Sequence, residues 1–217
     1  AADWERAHHN HNLGWAGHCN GWAAASVLYA EPRRAVVSPG GIRFSIGEQK
    51  AVLSEASFCV SFLFFGRRYN GPSDDPYDMK PADFHRAIVQ YLGAEKKPVV
   101  VDIMPREEVY NHAVSAATVQ ISAGSSGTIN VRASLKLHSY DGSYSDAVGE
   151  APYTYRNYYY SLPVSNGTIS GDGSWQGDNP DFLWVPLAPK DCEGGRENPV
   201  ARSATVESVV GLAPAAE

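Results

Sequence analysis

GHCNGWAAASVLY, residues 17–29, places a cysteine immediately before a predicted helix and sets the character of the first half of the chain. The run from Gly21 to Tyr29 has a face of small residues, which allows a second backbone to approach closely. Pro32 ends the helix because proline lacks an amide donor and clashes with the preceding turn. A helix N-terminus stabilises a thiolate and can hold an oxyanion, so this position indicates that Cys19 is a nucleophile.

The rest of the first half is also predicted to be mainly helical. Apolar residues recur at helical spacing from Ile46 to Phe65. A loop rich in turn-forming residues follows at 71–76. Asp83 to Leu92 then predicts a short helix that Gly93 closes.

From Pro98 onward the sequence is typical of β-structure. Val99 to Val101 predicts a short buried strand, and longer segments with alternating polarity predict a half-buried sheet. The longer predicted strands are Ala113 to Ile121, Thr128 to Leu137 and Tyr153 to Val164, with a hairpin loop at 122–127 and a turn at Asn166-Gly167.

Helices followed by an antiparallel sheet predict an α+β fold, which is also the layout of papain-like cysteine enzymes. We expect one catalytic domain over residues 1–217. Its N-terminal helical half, residues 1–95, packs on the sheet of the β half, residues 96–190. Residues 191–217 show little periodicity and predict an irregular tail.

Composition restricts the class of partner. The 217 residues are 43% hydrophobic, enough for a substantial core, and the net charge of -6 with no basic run excludes a nucleic-acid partner. No apolar stretch approaches the roughly 18 residues of a membrane span. The first residues lack the pattern of a signal peptide, and a start at Ala1 fits a mature or trimmed chain. We therefore expect a secreted or periplasmic monomer.

Three cysteines leave one thiol for chemistry if the other two pair. Because Cys19 occupies the setting suited to reactivity, the pair that we predict is Cys59 with Cys192. The alternative is that all three are buried, inert thiols.

Among the seven histidines, His112 is the predicted base because it opens the first strand of the hairpin. His18 is too close in sequence to Cys19 to face it across a cleft. His85 lies on a predicted helix and is expected to pack, while His138 at a strand end remains a possible neighbour. The remaining histidines, which we expect to be solvated or to form a weak metal site, are His8, His9 and His11.

A third group should accept the second imidazole proton of His112. A symmetric hairpin would place His112 opposite Leu137, so a group just beyond that residue could reach the ring. Asp141 fits this position, although it could equally be an ordinary turn aspartate before glycine. The alternatives are Asp102, Asn111 and Asp181.

Residues 17–25 resemble the nucleophile motif of the transglutaminase elicitor family of oomycetes and bacteria. Further blocks follow in the family's order across roughly residues 15 to 186. Glu108 to His112 resembles the segment with the recognised elicitor peptide, and residues 180–184 resemble a closing block. Asn20 stands where the family often has histidine, and Tyr110 and Ala113 replace the usual Trp and Pro of the elicitor peptide.

The resemblance implies a papain-like arrangement, in which we expect Cys19, His112 and Asp141 to carry the catalysis. It also implies transfer of a glutamine acyl group to an amine, with a protein or peptide as the substrate and no cofactor. The residues that we expect to contact this substrate are Trp15, Asn20, Trp22 and Asn111.

Two groups of aspartates carry the oxygen ligands that calcium prefers. Neither group has the ligand spacing of a calcium-binding loop, so we predict no metal site. The groups are Asp74, Asp75 and Asp78 in one loop, and Asp172, Asp178 and Asp181 in another.

Three functions are consistent with these features. The first is a secreted transglutaminase-like acyltransferase. The second is a papain-like peptidase or amidase that hydrolyses the same thioester. The third is a non-enzymatic elicitor or binding module.

Overall fold

The computed structural model describes residues 2–8, 17–68, 79–104, 108–139, 146–193 and 198–212. The chain divides into two compact units. The first contains Ala1–Phe62, Tyr140–Ala151 and Pro186–Glu217, and the second contains Leu63–Ser139 and Pro152–Val185.

Helices are concentrated in the first unit and strands in the second. In chain order, the elements are α1 (Ala2–His8), α2 (Cys19–Leu28), β1 (Val36–Val37), β2 (Arg43–Phe44), α3 (Ile46–Ala56), β3 (Val60–Gly66), α4 (Pro81–Ala87), a π-helix (Ile88–Ala94), β4 (Val99–Asp102), β5 (Asn111–Ala123), β6 (Thr128–His138), β7 (Tyr153–Ser165), β8 (Thr168–Ile169), β9 (Ser174–Trp175), β10 (Phe182–Pro189) and α5 (Ser203–Val210). No helix among the described residues is both long enough and apolar enough to cross a bilayer.

A capping box starts α3. The Ser45 hydroxyl accepts a hydrogen bond from the Glu48 amide, and the Glu48 carboxylate accepts one from the Ser45 amide. The helix ends at Ala56, so the prediction of one helix from Ile46 to Phe65 is wrong. The Phe-Leu-Phe-Phe run of residues 62–65 belongs to β3, because aromatic side chains favour a pleated surface and sheet contacts override the helical spacing.

The small-residue face of α2 packs against α3, as the sequence predicts. A Cβ atom on Gly21 would collide with the backbone oxygen of Ser54 and crowd the Phe58 amide. Ala23 and Ala24 are completely buried. Gly21 therefore serves a close helix contact, whereas nothing lies within 4 Å of a Cβ built on Gly17.

The C-terminal segment of the first unit is held by a disulfide and forms a helix that the sequence does not predict. The predicted disulfide between Cys59 and Cys192 is confirmed. Where an irregular tail is predicted, the structure has α5, which buries Val206 and Val210 and ends at Gly211 with a φ of 69°. The Tyr29 hydroxyl donates to the Glu207 carboxylate at 2.7 Å and joins α5 to the residue that follows α2.

The second unit is built on an eight-stranded sheet with the order β3-β10-β4-β5-β6-β7-β8, and β9 pairs with β7. The pairings from β10 through β8 are antiparallel. The turn between β7 and β8 has positive φ at both Asn166 and Gly167, as the predicted tight hairpin requires. Phe84 of α4 packs its ring edge against Tyr158 and Tyr160 of β7 and forms the core on that side.

The helix predicted to end at Gly93 has a different end. Regular α-helix stops at Ala87, and the chain continues as the π-helix Ile88–Ala94. Gly93 lies inside this wider turn, so it is not the cap.

The hairpin register also differs from the symmetric expectation. The strands are longer than predicted, and a bulge lies between Val114 and Ala116. The pairs from Ala123–Ile129 to Ala116–Lys136 are already three positions away from the symmetric register, and the bulge brings the strands one position back. Leu137 therefore pairs with Val114 and not with His112. On its other side, His112 pairs with Val101 of β4.

Candidate active site

Cys19 is the first residue of α2, which begins two residues before the predicted start at Gly21. His18 is the N-cap, and its carbonyl accepts the Trp22 amide at 2.9 Å. Cys19 is half-buried and stands outside the disulfide. The thiol therefore lies at the N-terminal end of a helix, where the first backbone amides have no partner within the helix and can hold an oxyanion.

His18 forms a contact that the sequence does not reveal. Its Nδ1 lies 2.7 Å from the Glu55 carboxylate of α3, and its ring packs edge-on against Phe58. The two side chains form an ion pair when His18, next to Cys19 in the chain, is protonated. The first unit thus places an ion-pairing His–Glu couple beside the candidate nucleophile.

Asn20 and Trp22 flank the same region. The Asn20 amide nitrogen donates to the Phe58 carbonyl at 2.9 Å and fixes the start of α2 to the segment after α3. Trp22 is half-buried. Both residues remain predicted substrate contacts, and Asn20 in addition holds the helix that presents Cys19.

His112 is the second residue of β5 and is half-buried. Its Nδ1 lies 3.0 Å from the backbone carbonyl of His138 at the end of β6. When Nδ1 carries the proton and donates it to this carbonyl, Nε2 is the nitrogen that can accept a proton. Burial lowers the pKa of His112; the hydrogen bond to His138 raises it and the charge of Arg156 lowers it.

The side chain of His138 points to a second partner. Its Nε2 lies 2.7 Å from the Ser115 hydroxyl, next to the bulge in β5. His138 is therefore a neighbour of the candidate base through its backbone, and its imidazole is used elsewhere. No local sequence signal marks this role, because the bulge decides which residue of β6 reaches His112.

Asp141 and Trp15 lie outside the described residues, as do Asp74, Asp75, Asp78, His9 and His11. The assignment of Asp141 as the third catalytic group and of Trp15 as a substrate contact stays a prediction.

The alternatives to Asp141 lie at the junction of β4, β5 and β10. Asp102 is fully buried, and its Oδ1 accepts the amides of Met104 and Tyr110 at 3.1 and 3.0 Å. Burial raises the pKa of Asp102 to about 6, against the lowering effect of those amides. These contacts join the end of β4 to the residue that precedes β5.

Asn111 pairs with Asp102 across the strands and is 7% exposed. Its side-chain oxygen accepts the Trp184 indole N–H at 2.8 Å. Asp181 is also fully buried, and its amide donates to the Asp102 carbonyl. Asn111 therefore anchors β5 to β10, while substrate binding by Asn111 remains a prediction.

The described members of the second acidic group have other contacts. Asp172 forms an ion pair with Lys80, and Asp178 forms one with Arg156. Within the described ranges, no three His, Cys, Asp or Glu side chains converge in a way that could hold a metal ion.

The other described histidines, His85 and His8, contact residues outside the candidate site. His85 is buried, with Nδ1 2.9 Å from the Tyr160 hydroxyl, and burial lowers its pKa. His8 on α1 lies 2.8 Å from the Trp4 carbonyl. The predicted site is thus divided: Cys19, Asn20 and Trp22 belong to the first unit, and Asn111 and His112 belong to the second.

Comparison with solved structures shows the class of fold. The chain is similar to the crystal structure of the GP42 transglutaminase from Phytophthora sojae, with a TM-score of 0.70 and 23% sequence identity over 91% of this chain. It spans 62% of the length of that protein. The fold is therefore a mixture of helices and antiparallel sheet similar to that of this transglutaminase.

The sequence profile of the transglutaminase elicitor family matches residues 10–141, and the chain belongs to this family. The match includes both Cys19 and His112. Comparison with curated protein sequences gives no match.

Proposed function

We propose that the chain is a cysteine acyltransferase that transfers the acyl group of a glutamine side chain to an amine. The observation that carries the proposal is the state of the three cysteines. Cys59 and Cys192 are joined, so the thiol left for chemistry is Cys19, at the first residue of α2. Membership of the transglutaminase elicitor family supplies the reaction class.

In the first half-reaction, Nε2 of neutral His112 takes the proton of the Cys19 thiol, and the sulfur attacks the glutamine amide carbon. The tetrahedral oxyanion is held by amide donors at the start of α2. His112 then returns the proton to the amide nitrogen, so that ammonia leaves and a thioester remains. In the second half-reaction, an amine attacks the thioester carbon, forms the new amide bond and releases the thiol.

The pKa of His112 supports its role as the base. Because burial lowers this pKa, the imidazole is neutral at neutral pH and can accept the thiol proton. The His138 carbonyl orients the ring through Nδ1. We further propose that Asp141 contributes negative charge near this ring, with a smaller effect than in enzymes where a carboxylate alone fixes the tautomer.

His18 and Glu55 support the nucleophile from within the first unit. The 2.7 Å contact between them favours a positive charge on the residue that caps α2. This charge adds to the partial positive charge of the helix end at which Cys19 lies. The proposed substrate is a glutamine-bearing protein or peptide. Its proposed contacts are Trp15, Asn20, Trp22 and Asn111.

The disulfide supports an extracellular or periplasmic setting, since such bonds persist in oxidising compartments. Hydrolysis of the same thioester is the competing activity, with water in place of the amine. The family description as an elicitor favours the third possibility, a binding module without catalysis.

The test is incorporation of a fluorescent amine into casein by the full chain and by Cys19→Ala and His112→Ala. We expect labelling by the wild type and a loss of at least about 1,000-fold in kcat in both variants, because each removes a reacting group. His138→Ala is the matched control: it removes an imidazole but keeps the backbone carbonyl, so labelling should persist.

Release of ammonia or cleavage of peptide without labelling would assign the chain as a hydrolase. Absence of labelling, ammonia and cleavage, together with a Cys19 that resists alkylation in the folded protein, would contradict an enzymatic function.

A further inference from the structure

Arg156 of β7 lies on the same face of the sheet as the candidate base His112. Its partner across the strands is Leu135 of β6, and Leu137, two residues further along β6, is the partner of Val114 in β5. His112 is two residues before Val114 in the same strand. Residues that pair across antiparallel strands, and residues two apart along a strand, point to the same side of a sheet. The sheet therefore places a cation and the candidate base on one face of the second unit.

This face is mostly apolar, which makes a charged residue on it unusual. Leu135, Leu137 and Val114 are buried, and Tyr158, the next residue of β7 on this side, is completely buried. The Arg156 guanidinium lies 5.7 Å from the centre of the Tyr158 ring, and the Arg156 side chain is 30% exposed. A charge that is partly withdrawn from water needs a partner of opposite sign. The partner of Arg156 therefore shows which kind of ligand this position accepts.

Arg156 forms its ion pair with Asp178, in the segment between β9 and β10. Its Nη2 atom lies 3.3 Å from Oδ2 of Asp178 in a single contact, and the Asp178 side chain is 82% exposed. A guanidinium presents its donors as a planar fork and holds a carboxylate most strongly through two parallel hydrogen bonds. An ion pair with an exposed partner contributes little free energy, so another carboxylate can replace that of Asp178.

The charge of Arg156 also acts on the base. It lowers the pKa of His112, in addition to the effect of burial. In the proposed reaction His112 becomes an imidazolium when it takes the thiol proton, and a nearby cation opposes this step. A carboxylate bound to Arg156 through two hydrogen bonds offsets that cation more fully than the single contact with Asp178 does. A substrate that brings such a carboxylate therefore favours its own reaction.

We propose that Arg156 is a specificity-determining residue, which binds a carboxylate of the glutamine-bearing substrate in place of Asp178. The carboxylate belongs either to an acidic side chain near the glutamine or to the C-terminus of the substrate, since a guanidinium recognises both through the same two hydrogen bonds. This inference rests on the proposed function, because it defines the substrate class of the same site. Binding itself requires no catalysis.

Binding is measured by NMR titration of the full chain carrying Cys19→Ala, so that no thioester forms. Three peptides of equal length share one central glutamine. The first has glutamate on both sides of the glutamine and blocked termini, the second has alanine in place of glutamate, and the third is the alanine peptide with a free C-terminal carboxylate. We expect the first or the third peptide to bind about tenfold more tightly than the second, and the tighter of the two identifies the source of the carboxylate.

Substitutions on the two sides of the ion pair should have opposite effects. Arg156→Gln removes the cation and should raise the Kd of the preferred carboxylate peptide about tenfold. Asp178→Asn removes the competing carboxylate and should lower that Kd about threefold. Arg132→Gln is the matched control and should leave the Kd unchanged. Arg132 lies between buried Val131 and Ala133, so it points to the opposite face of the sheet.

The pKa of His112 gives a second readout in the same titrations. Because Arg156 lowers this pKa, Arg156→Gln should raise it in the absence of peptide. With Arg156 present, the pKa should be higher in the complex with the carboxylate peptide than in the complex with the neutral one. An ion pair that only stabilises the fold would produce no such difference between peptides.

Equal binding of all three peptides, or a Kd that Arg156→Gln leaves unchanged, would overturn the proposal. So would similar weakening by Arg156→Gln and Asp178→Asn, since the pair would then only stabilise the fold. If Arg156→Gln does not fold, Asp178→Asn decides the question. Binding of the carboxylate peptide that is no tighter with Asp178→Asn than without it would then reject the proposal.

Failure of this inference is separable from failure of the proposed function. If the intact enzyme labels casein while the Cys19→Ala chain shows no binding that depends on Arg156, the acyltransferase stands and the carboxylate site is wrong. If the peptide binds through Arg156 but no labelling occurs, the carboxylate site stands and the acyltransferase is wrong.

Discussion

The unit that carries Cys19 and the unit that carries His112 differ in the interactions that stabilise each of them internally. In the first, short helices approach through small residues, and a disulfide joins positions 59 and 192. In the second, long strands fix each residue by cross-strand pairing. The surroundings of Cys19 are therefore determined mostly by residues close to it in the sequence, whereas those of His112 depend on the pairing register of the long strands.

The difference shows in how each side chain is supported. Cys19 gains its setting from the helix that it begins and from the adjacent His18. His112 is oriented by the carbonyl of residue 138, which lies 26 positions away in the sequence. A local change should thus disturb Cys19 directly, while His112 should respond to anything that moves β6 along β5.

The largest expected effect concerns the disulfide. Replacing Cys59 and Cys192 together by serine should lower the free energy of unfolding by about 4 kcal/mol, because the bridge closes a loop of 133 residues. Chemical denaturation measures this loss. The Cys19→Ser variant, which keeps the bridge, is the control and should stay near the wild type.

Thiol counting tests the same bridge independently. The unreduced, denatured chain should take up a single iodoacetamide, at Cys19. A second modified cysteine before reduction would contradict the assignment of the pair.

The helix contact should give the next largest effect. Gly21→Ala places a Cβ against the backbone of Ser54, so we expect a loss of about 2–3 kcal/mol in the free energy of unfolding. Gly17→Ala is matched in chemistry and meets nothing within 4 Å, so its unfolding curve should match that of the wild type. Similar losses in both variants would mean that the close approach of α3 to α2 is not what requires glycine.

In the second unit, Asp102→Asn should increase stability at neutral pH by about 2 kcal/mol. Burial raises the pKa of Asp102 from 3.8 to about 6, so the folded state disfavours the ionised carboxyl. The penalty is absent below pH 3.8 and complete above about pH 6. Asparagine keeps an acceptor for Met104 and Tyr110, so the gain should appear at pH 7.5 and vanish near pH 4 in urea denaturation.

An equal gain at both pH values would show that packing, and not ionisation, explains the effect. A loss at pH 7.5 would mean that the charge of Asp102 is needed to hold the amides of Met104 and Tyr110.

The smallest effect concerns the His–Glu couple. Glu55→Gln removes the carboxylate that favours a positive His18, so alkylation of Cys19 by iodoacetamide at pH 6 should slow about fivefold. Glu48→Gln, on the exposed side of the same helix, is the control. Unchanged alkylation in Glu55→Gln would show that the couple only braces α3 against the start of α2.

Much of the helical half could be predicted because its signals are local. Residues 17–29 predict a helix with a face of small residues, and the number of cysteines predicts the Cys59–Cys192 pair. The wrong predictions came where tertiary contacts override local spacing. The segment at 60–66 became a strand, and residues 203–210 became a helix because two valines could be buried there.

The sequence alone determined the family, the mixture of helices and antiparallel sheet and the residue types at the candidate site, since these depend on motifs and periodicity. Only the tertiary structure decided that Glu55 reaches His18, that a bulge brings the carbonyl of His138 to His112, and that Asp102 is buried. The physical reason is that these contacts join residues far apart in the chain, whose meeting is set by register and helix packing and leaves no local signal.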